Sequence, residues 1–68
     1  MPARVINENL EKDRVTVLTD VGVEITFGHV RGIVQSVARS PSRYVQKPSY
    51  DEARRLAKMA FGENIAPK

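Results

Sequence analysis

Residues 14–27 read RVTVLTDVGVEITF, and this stretch decides the fold class because it holds two β-type segments joined by a turn signal. Segments 14–19 and 23–27 alternate in polarity and are rich in β-branched side chains, as half-buried strands are. The connection at residues 20–22 ends in Gly22, which can adopt the positive φ of a tight turn. The sequence therefore predicts a β-hairpin. An isolated hairpin is marginally stable, so its apolar face should pack on another element.

Residues 48–62, PSYDEARRLAKMAFG, predict a C-terminal helix that packs on this hairpin. Their apolar residues recur at helical spacing, and Gly62 stands where a left-handed C′ residue would end a helix. Ser49 and Glu52 have the spacing of a capping box, in which each side chain satisfies the other residue's free backbone N–H. We expect a capped amphipathic helix with a basic outer face.

Residues 26–39, TFGHVRGIVQSVAR, fit either a helix or strands. In a helix, the apolar residues of this segment would fall within one arc. The opposite side would carry the polar residues Arg31, Gln35 and Arg39. Propensity opposes this reading, because many residues are β-branched and Gly32 costs about 1 kcal/mol in a helix interior. Residues 28–29 could also form a hairpin turn. Because the helical periodicity is the better match, we predict a helix here.

The remaining segments are less regular. Residues 3–10 predict a weak strand, and residues 11–13 predict a polar turn. Pro41 ends whatever element precedes it, and residues 43–47 are either a short strand or an extended loop.

The length of 68 residues allows one domain with a single small core. The chain has no cysteine and one histidine, so we expect neither disulfides nor a bound metal or other cofactor. We predict an α+β fold over residues 1–68: a small antiparallel sheet, a hairpin or three strands, packed against one or two helices. Residues 63–68 should form a mobile tail. A homodimer or a complex with a larger protein would be another way to complete the core.

The sequence gives no sign of a membrane protein. It has no apolar run long enough to span a bilayer, and its first residues, MPARVINEN, lack a hydrophobic signal segment. The lack of cysteine agrees with a reducing compartment. We therefore expect a cytoplasmic protein that does not contact membranes.

Charge is distributed unevenly along the chain. Residues 1–27 carry three basic and five acidic side chains, for a net charge of −2, whereas residues 28–68 carry eight and three, for a net charge of +5. This asymmetry predicts an anionic partner for the C-terminal half. The candidate contact residues are the basic side chains of this half with polar neighbours: Arg31, Gln35, Arg39, Arg43, Tyr44, Lys47, Tyr50, Arg54, Arg55 and Lys58.

The chemistry of these side chains suits nucleic acid, because arginine and lysine neutralise phosphates and tyrosine can stack on bases. The alternative is an ordinary solvated surface, since Asp51 has the helical spacing to pair with Arg54 and Arg55. The sequence contains no zinc-finger spacing, no aromatic RNP pattern and no GXXG loop.

Two functions follow from these observations. The first is a small non-enzymatic nucleic-acid-binding or regulatory protein that uses its basic C-terminal face. The second is a compact protein-binding inhibitor or adaptor, of the phage or mobile-element type, that docks on a host nucleic-acid-processing machine. The small core and spare apolar residues such as Leu10, Val21 and Met59 motivate the second. We do not expect an enzyme, because His29 has no evident catalytic partner and is better explained by a turn or capping role.

Overall fold

The computed structural model describes residues 2–62, which form a four-stranded antiparallel sheet and one α-helix. The strands are β1 (Arg4–Asn9), β2 (Arg14–Leu18), β3 (Glu24–Val30) and β4 (Ile33–Ser40), and the helix is α1 (Lys47–Phe61). A single turn of 3₁₀ helix (Leu10–Lys12) joins β1 to β2. The strands are neighbours in chain order, so the sheet is a meander. The predicted α+β class is confirmed, with four strands rather than three.

The core lies between one face of the sheet and α1. The fully buried side chains of the strands point to this face: Val15, Val17, Ile25 and Phe27. Ala53 and Ala57 of the helix are also fully buried, and their small side chains allow the helix to approach the sheet closely. The Tyr50 ring lies 5.7 Å from the Phe27 ring, and its hydroxyl donates to Ser36 Oγ at 3.2 Å. The predicted hairpin and helix thus form the centre of the fold.

The helix predicted over residues 26–39 is wrong, because this segment belongs to strands β3 and β4. The chain reverses at Arg31 and Gly32, whose φ values of 55° and 80° are those of a type I′ turn. Residues 28–29, the other candidate for a turn, lie inside β3. The β-branched residues, which weigh against a helix, pack well on the pleated surface of a sheet.

Both edge strands contain a β-bulge. In β4 the unpaired extra residue is Val37, and in β1 it is Ile6. A bulge reverses the alternation of side chains along a strand and increases its local twist. Apolar residues also lie on both faces of β4, since Val34 is buried whereas Ile33 and Val37 are largely exposed. The apolar residues therefore do not follow a period of two, and the sequence resembles a helix.

Helix α1 lies close to the predicted bounds but begins differently. Its N-cap is Gln46, whose side chain makes no capping hydrogen bond. Pro48 lies in the first turn, where backbone N–H groups have no partner within the helix, so proline's lack of an N–H costs no hydrogen bond. The predicted capping box is wrong, because Ser49 and Glu52 both lie inside the helix. Gly62 ends the helix, as predicted, and its N–H donates to carbonyl groups of the last turn. Its φ of 103° is positive, but its ψ of 137° differs from that of the predicted left-handed helical conformation.

The other segments agree with expectation more closely. The weak strand predicted over residues 3–10 is β1, and residues 41–46 form an extended loop without a strand. The predicted tail, residues 63–68, lies outside the described residues. In the part of the chain that the structure describes, no helix has the length and apolar character needed to cross a membrane.

The uncapped start of α1 leads to a stability prediction. Gln46→Asp should raise the free energy of unfolding by about 1 kcal/mol, because Gln46 has the extended backbone of an N-cap and an aspartate there can accept a backbone N–H bond. Ser49→Ala is the control and should change it by less than about 0.5 kcal/mol. Urea denaturation followed by circular dichroism measures both. A loss of about 1 kcal/mol in Ser49→Ala would instead support the capping box.

Candidate nucleic-acid interface

Strand β4 has one free edge, and the helix partly covers it. The N–H of His29 points to the β2 side and donates to the Asp13 carbonyl at 3.2 Å. His29 and Val34, which lie opposite each other in β3 and β4, are therefore a pair without mutual backbone hydrogen bonds. The backbone groups of Val34 therefore point to the free edge. Arg54, which is half-buried, donates from Nε to the Val34 carbonyl at 2.7 Å. This side chain of α1 satisfies a carbonyl that has no neighbouring strand.

Arg54 also identifies the side of α1 that faces this edge. Lys58 lies one turn later and Lys47 two turns earlier, so both fall on the same side of the helix. Lys47 Nζ lies 2.8 Å from the Asp51 carboxylate, and these side chains are 82% and 54% exposed. An exposed i,i+4 pair of this kind contributes only about 0.3–0.5 kcal/mol. Lys47 is therefore easily released to another anion.

The cations of the helix and those of β4 border the same edge. We call this surface the basic edge, and its residues are Arg31, Gln35, Arg39, Lys47, Arg54 and Lys58. Residues 25–50 contain no aspartate or glutamate, so β4 and both of its connections are free of carboxylates. At roughly 3.3 Å per residue, the strand separates Arg31 from Arg39 by about 25 Å. The basic edge is thus a row of cations along one border of the sheet.

The loop after β4 is fixed at one end of the basic edge. Arg39 Nη1 donates to the Arg43 carbonyl at 2.9 Å, and Arg43 Nη2 donates to the Val21 carbonyl at 2.8 Å, in the turn between β2 and β3. Val45 is buried and anchors the loop to the core, whereas Tyr44 is 80% exposed. The loop therefore presents an exposed aromatic ring on a fixed backbone.

A shallow polar depression lies between this loop and the bulge of β4. It is lined by Ser36, Val37, Ala38, Arg39 and Ser42. Hydroxyl and guanidinium groups are among the usual protein contacts to phosphate oxygens. Arg39 and Ser42 could hold one phosphate at this end of the basic edge.

The structure brings most of the predicted contact residues together, though not as a helix face. Gln35 pairs with Gly28 and Arg39 pairs with Ile25, so the two lie on opposite faces of β4. The adjoining loop holds Arg43 and Tyr44, while Arg55 lies on the solvent side of α1. Tyr50 is half-buried against the core and is not a stacking platform.

The predicted pairing of Asp51 with Arg54 and Arg55 is wrong. Asp51 pairs with Lys47, and Arg54 is directed to β4 instead. Within residues 2–62, the side chains of Arg31, Arg55 and Lys58 make no hydrogen bond or ion pair.

Arg14 is a cation of the exposed sheet face that sequence reasoning missed. It pairs with Gly28, and a Cβ on that glycine would lie 3.0 Å from Arg14 Nη1 and 3.1 Å from Val37 Cγ1. The glycine thus leaves room for the guanidinium, which donates to the carbonyls of Lys12 and Asp13 at 3.2 and 2.9 Å. The only sequence signal is Gly28 itself, and it becomes informative once the strand register is known.

His29 does not have the turn or capping role expected from the sequence. It lies in β3 on the helix-covered side, with its ring 5.6 Å from the Phe61 ring. Its Nε2 atom is buried and has no hydrogen-bond partner among residues 2–62. In the same range, no three His, Cys, Asp or Glu side chains are grouped so that they could hold a metal ion.

Comparisons of the chain with protein-family models, with curated proteins and with solved structures gave no match. The architecture is that of an α+β protein with a four-stranded antiparallel meander and one helix on one face. A function is therefore inferred from the residues of this chain alone.

The hydrogen bond between Arg54 and Val34 predicts that Arg54 stabilises the fold and that its exposed neighbour Arg55 does not. Arg54→Gln should lower the free energy of unfolding by about 1–2 kcal/mol, because the edge carbonyl loses a charge-assisted hydrogen bond. Arg55→Gln removes the same charge from the adjacent position and should change it by less than about 0.5 kcal/mol. Urea denaturation of both variants provides the test. A change of less than about 0.5 kcal/mol in Arg54→Gln as well would show that Arg54 has no structural role.

Proposed function

We propose that this chain is a small non-enzymatic nucleic-acid-binding protein, with a regulatory role, whose basic edge contacts phosphates. The observation that supports this most strongly is the juxtaposition of the carboxylate-free segment 25–50 with the cations on one side of α1. A row of arginine and lysine side chains at the border of a rigid sheet can follow a phosphate backbone, and it fits a polyanion better than a single small anion.

The size of the basic edge indicates the strength of binding. Each phosphate neutralised by a protein cation releases counterions, and the logarithm of the affinity falls with the logarithm of the salt concentration by about 0.9 per contact on duplex DNA. With Arg31, Arg39 and Lys58 as main contacts, we expect a slope of roughly −3 and dissociation constants in the range of about 10⁻⁴–10⁻⁶ M at physiological salt. Such binding would suit a regulatory role that is reversible and sensitive to ionic conditions.

The alternative, a protein-binding inhibitor or adaptor, has less support. The spare apolar residues Leu10, Val21 and Met59 are 48%, 49% and 59% exposed. They lie in three different elements: the 3₁₀ turn, the turn between β2 and β3, and the helix. Leu10 and Val21 lie beyond opposite ends of β2, so they do not belong to one patch, whereas docking sites are contiguous patches. A nucleic-acid-binding role agrees with the expected cytoplasmic location. Residues of one copy of the chain form the whole basic edge, so binding does not require a homodimer.

The test compares two charge-matched double variants. Arg39→Gln with Lys58→Gln removes two cations of the basic edge, and Arg4→Gln with Arg55→Gln removes two exposed cations from β1 and the solvent side of α1. The first should weaken binding to a labelled nucleic acid by about tenfold at low salt and reduce the salt slope by about 2. The second should change affinity by less than about threefold, because neither of its cations belongs to the basic edge.

Fluorescence anisotropy, with salt varied between about 50 and 200 mM, measures both quantities. Undetectable binding of the unmodified protein at the lowest salt would overturn the proposal. An equal loss in the two double variants would also overturn it, since binding would then follow net charge and not the basic edge. Urea denaturation of each variant shows whether the fold is retained.

A further inference from the structure

We propose that the tip of the β3–β4 hairpin, residues 30–33 with Arg31 in the turn, inserts into the major groove of double-stranded DNA. This inference rests on the proposed function and names the kind of nucleic acid and the leading contact.

Arg31 occupies the first central position of a type I′ turn with a φ of 55°. Asparagine, aspartate and glycine are the residues preferred there, because other side chains are strained at positive φ. Within residues 2–62 the Arg31 side chain makes no hydrogen bond or ion pair that would offset this strain. A strained residue without an internal contact points to a role outside the fold.

The residues on either side of the turn are apolar and exposed. Val30 and Ile33 pair with each other across the hairpin, and they are 41% and 52% exposed. The hydrogen bond between His29 and Asp13 is the last one that joins β3 to the β2 side. Residues 30–33 therefore extend past the rest of the sheet. The tip therefore presents one guanidinium group between two branched aliphatic side chains.

This combination fits the major groove of B-form DNA. That groove is about 12 Å wide and admits a two-stranded β-ribbon, arginine can donate to O6 and N7 of guanine, and apolar side chains can contact the thymine methyl group. The deep, narrow major groove of A-form RNA excludes such a ribbon. A single strand would need aromatic stacking platforms, but the exposed aromatic side chain of residues 2–62 is Tyr44, in the loop beyond the opposite end of β4.

The position of the tip also agrees with the basic edge. Arg31, in the turn, is the first residue of that edge, and Gln35 and Arg39 follow along β4. With the tip in the groove, the cations farther along β4 and on α1 would lie toward the phosphate backbone. The tip would supply base contacts, and the rest of the basic edge would supply affinity.

Arg31→Asn gives a test with two opposite expected effects. The variant should raise the melting temperature by about 3–6 °C, because asparagine relieves the strain of the turn. It should weaken binding to a labelled DNA duplex by about five- to tenfold, because the leading contact is lost. Arg31→Gly, which also fits a positive φ, is a second variant in case the asparagine substitution disturbs the turn. Arg55→Gln is the charge-matched control and should bind within about twofold of the unmodified protein.

The same assay is run on double-stranded DNA, single-stranded DNA and double-stranded RNA of matched sequence. A preference for double-stranded DNA that Arg31→Asn reduces supports the proposal. Equal binding of the three nucleic acids, or unchanged affinity in a stabilised Arg31→Asn variant, overturns it while leaving the basic edge as a binding surface. If the unmodified protein binds none of the three, the proposed function itself fails.

Discussion

The packing of α1 on one face of the sheet is the contact on which the rest of the structure depends. Ala53 and Ala57 bring the helix close to strands β1 and β2, and the inward side chains of β2 and β3 are fully buried. A chain of this size has one small core, so little else can hold the sheet in place. The same packing fixes the rotation of the helix, and this rotation directs Arg54 to the free edge of β4. The position of the basic edge is therefore a consequence of the core.

The parts of the fold that depend on local sequence could be predicted, and those that depend on pairing could not. The hairpin at residues 14–27 and the C-terminal helix follow from alternation, helical spacing and the glycines near their ends. Residues 26–39 were misassigned because apolar residues lie on both faces of β4: Val34 is buried, whereas Ile33 and Val37 are exposed. No local signal in the sequence places the bulge at Val37 either. Similarly, Ser49 and Glu52 have capping-box spacing, but Pro48 allows the helix to begin before them.

The composition of the candidate site could be predicted better than its arrangement. The excess of basic residues after residue 27 was visible in the sequence, and most of these residues do lie near one border of the sheet. The sequence could not show that Arg54 bonds to a strand carbonyl while its neighbour Arg55 faces solvent, since both fit a basic helix face. It also could not show Arg14 beside Gly28, because that contact depends on the register of β2 and β3.

The bulges in the two outer strands bear on how the protein behaves at high concentration. A short sheet with two open sides is a template on which strands of other molecules can add, and uninterrupted addition leads to insoluble fibres. Ile6 and Val37 break the regular spacing of hydrogen-bonding groups on both sides, and Arg54 occupies one of the carbonyls that an incoming strand would need. The protein can therefore expose a long side of its sheet to a ligand and still resist growth into a larger sheet.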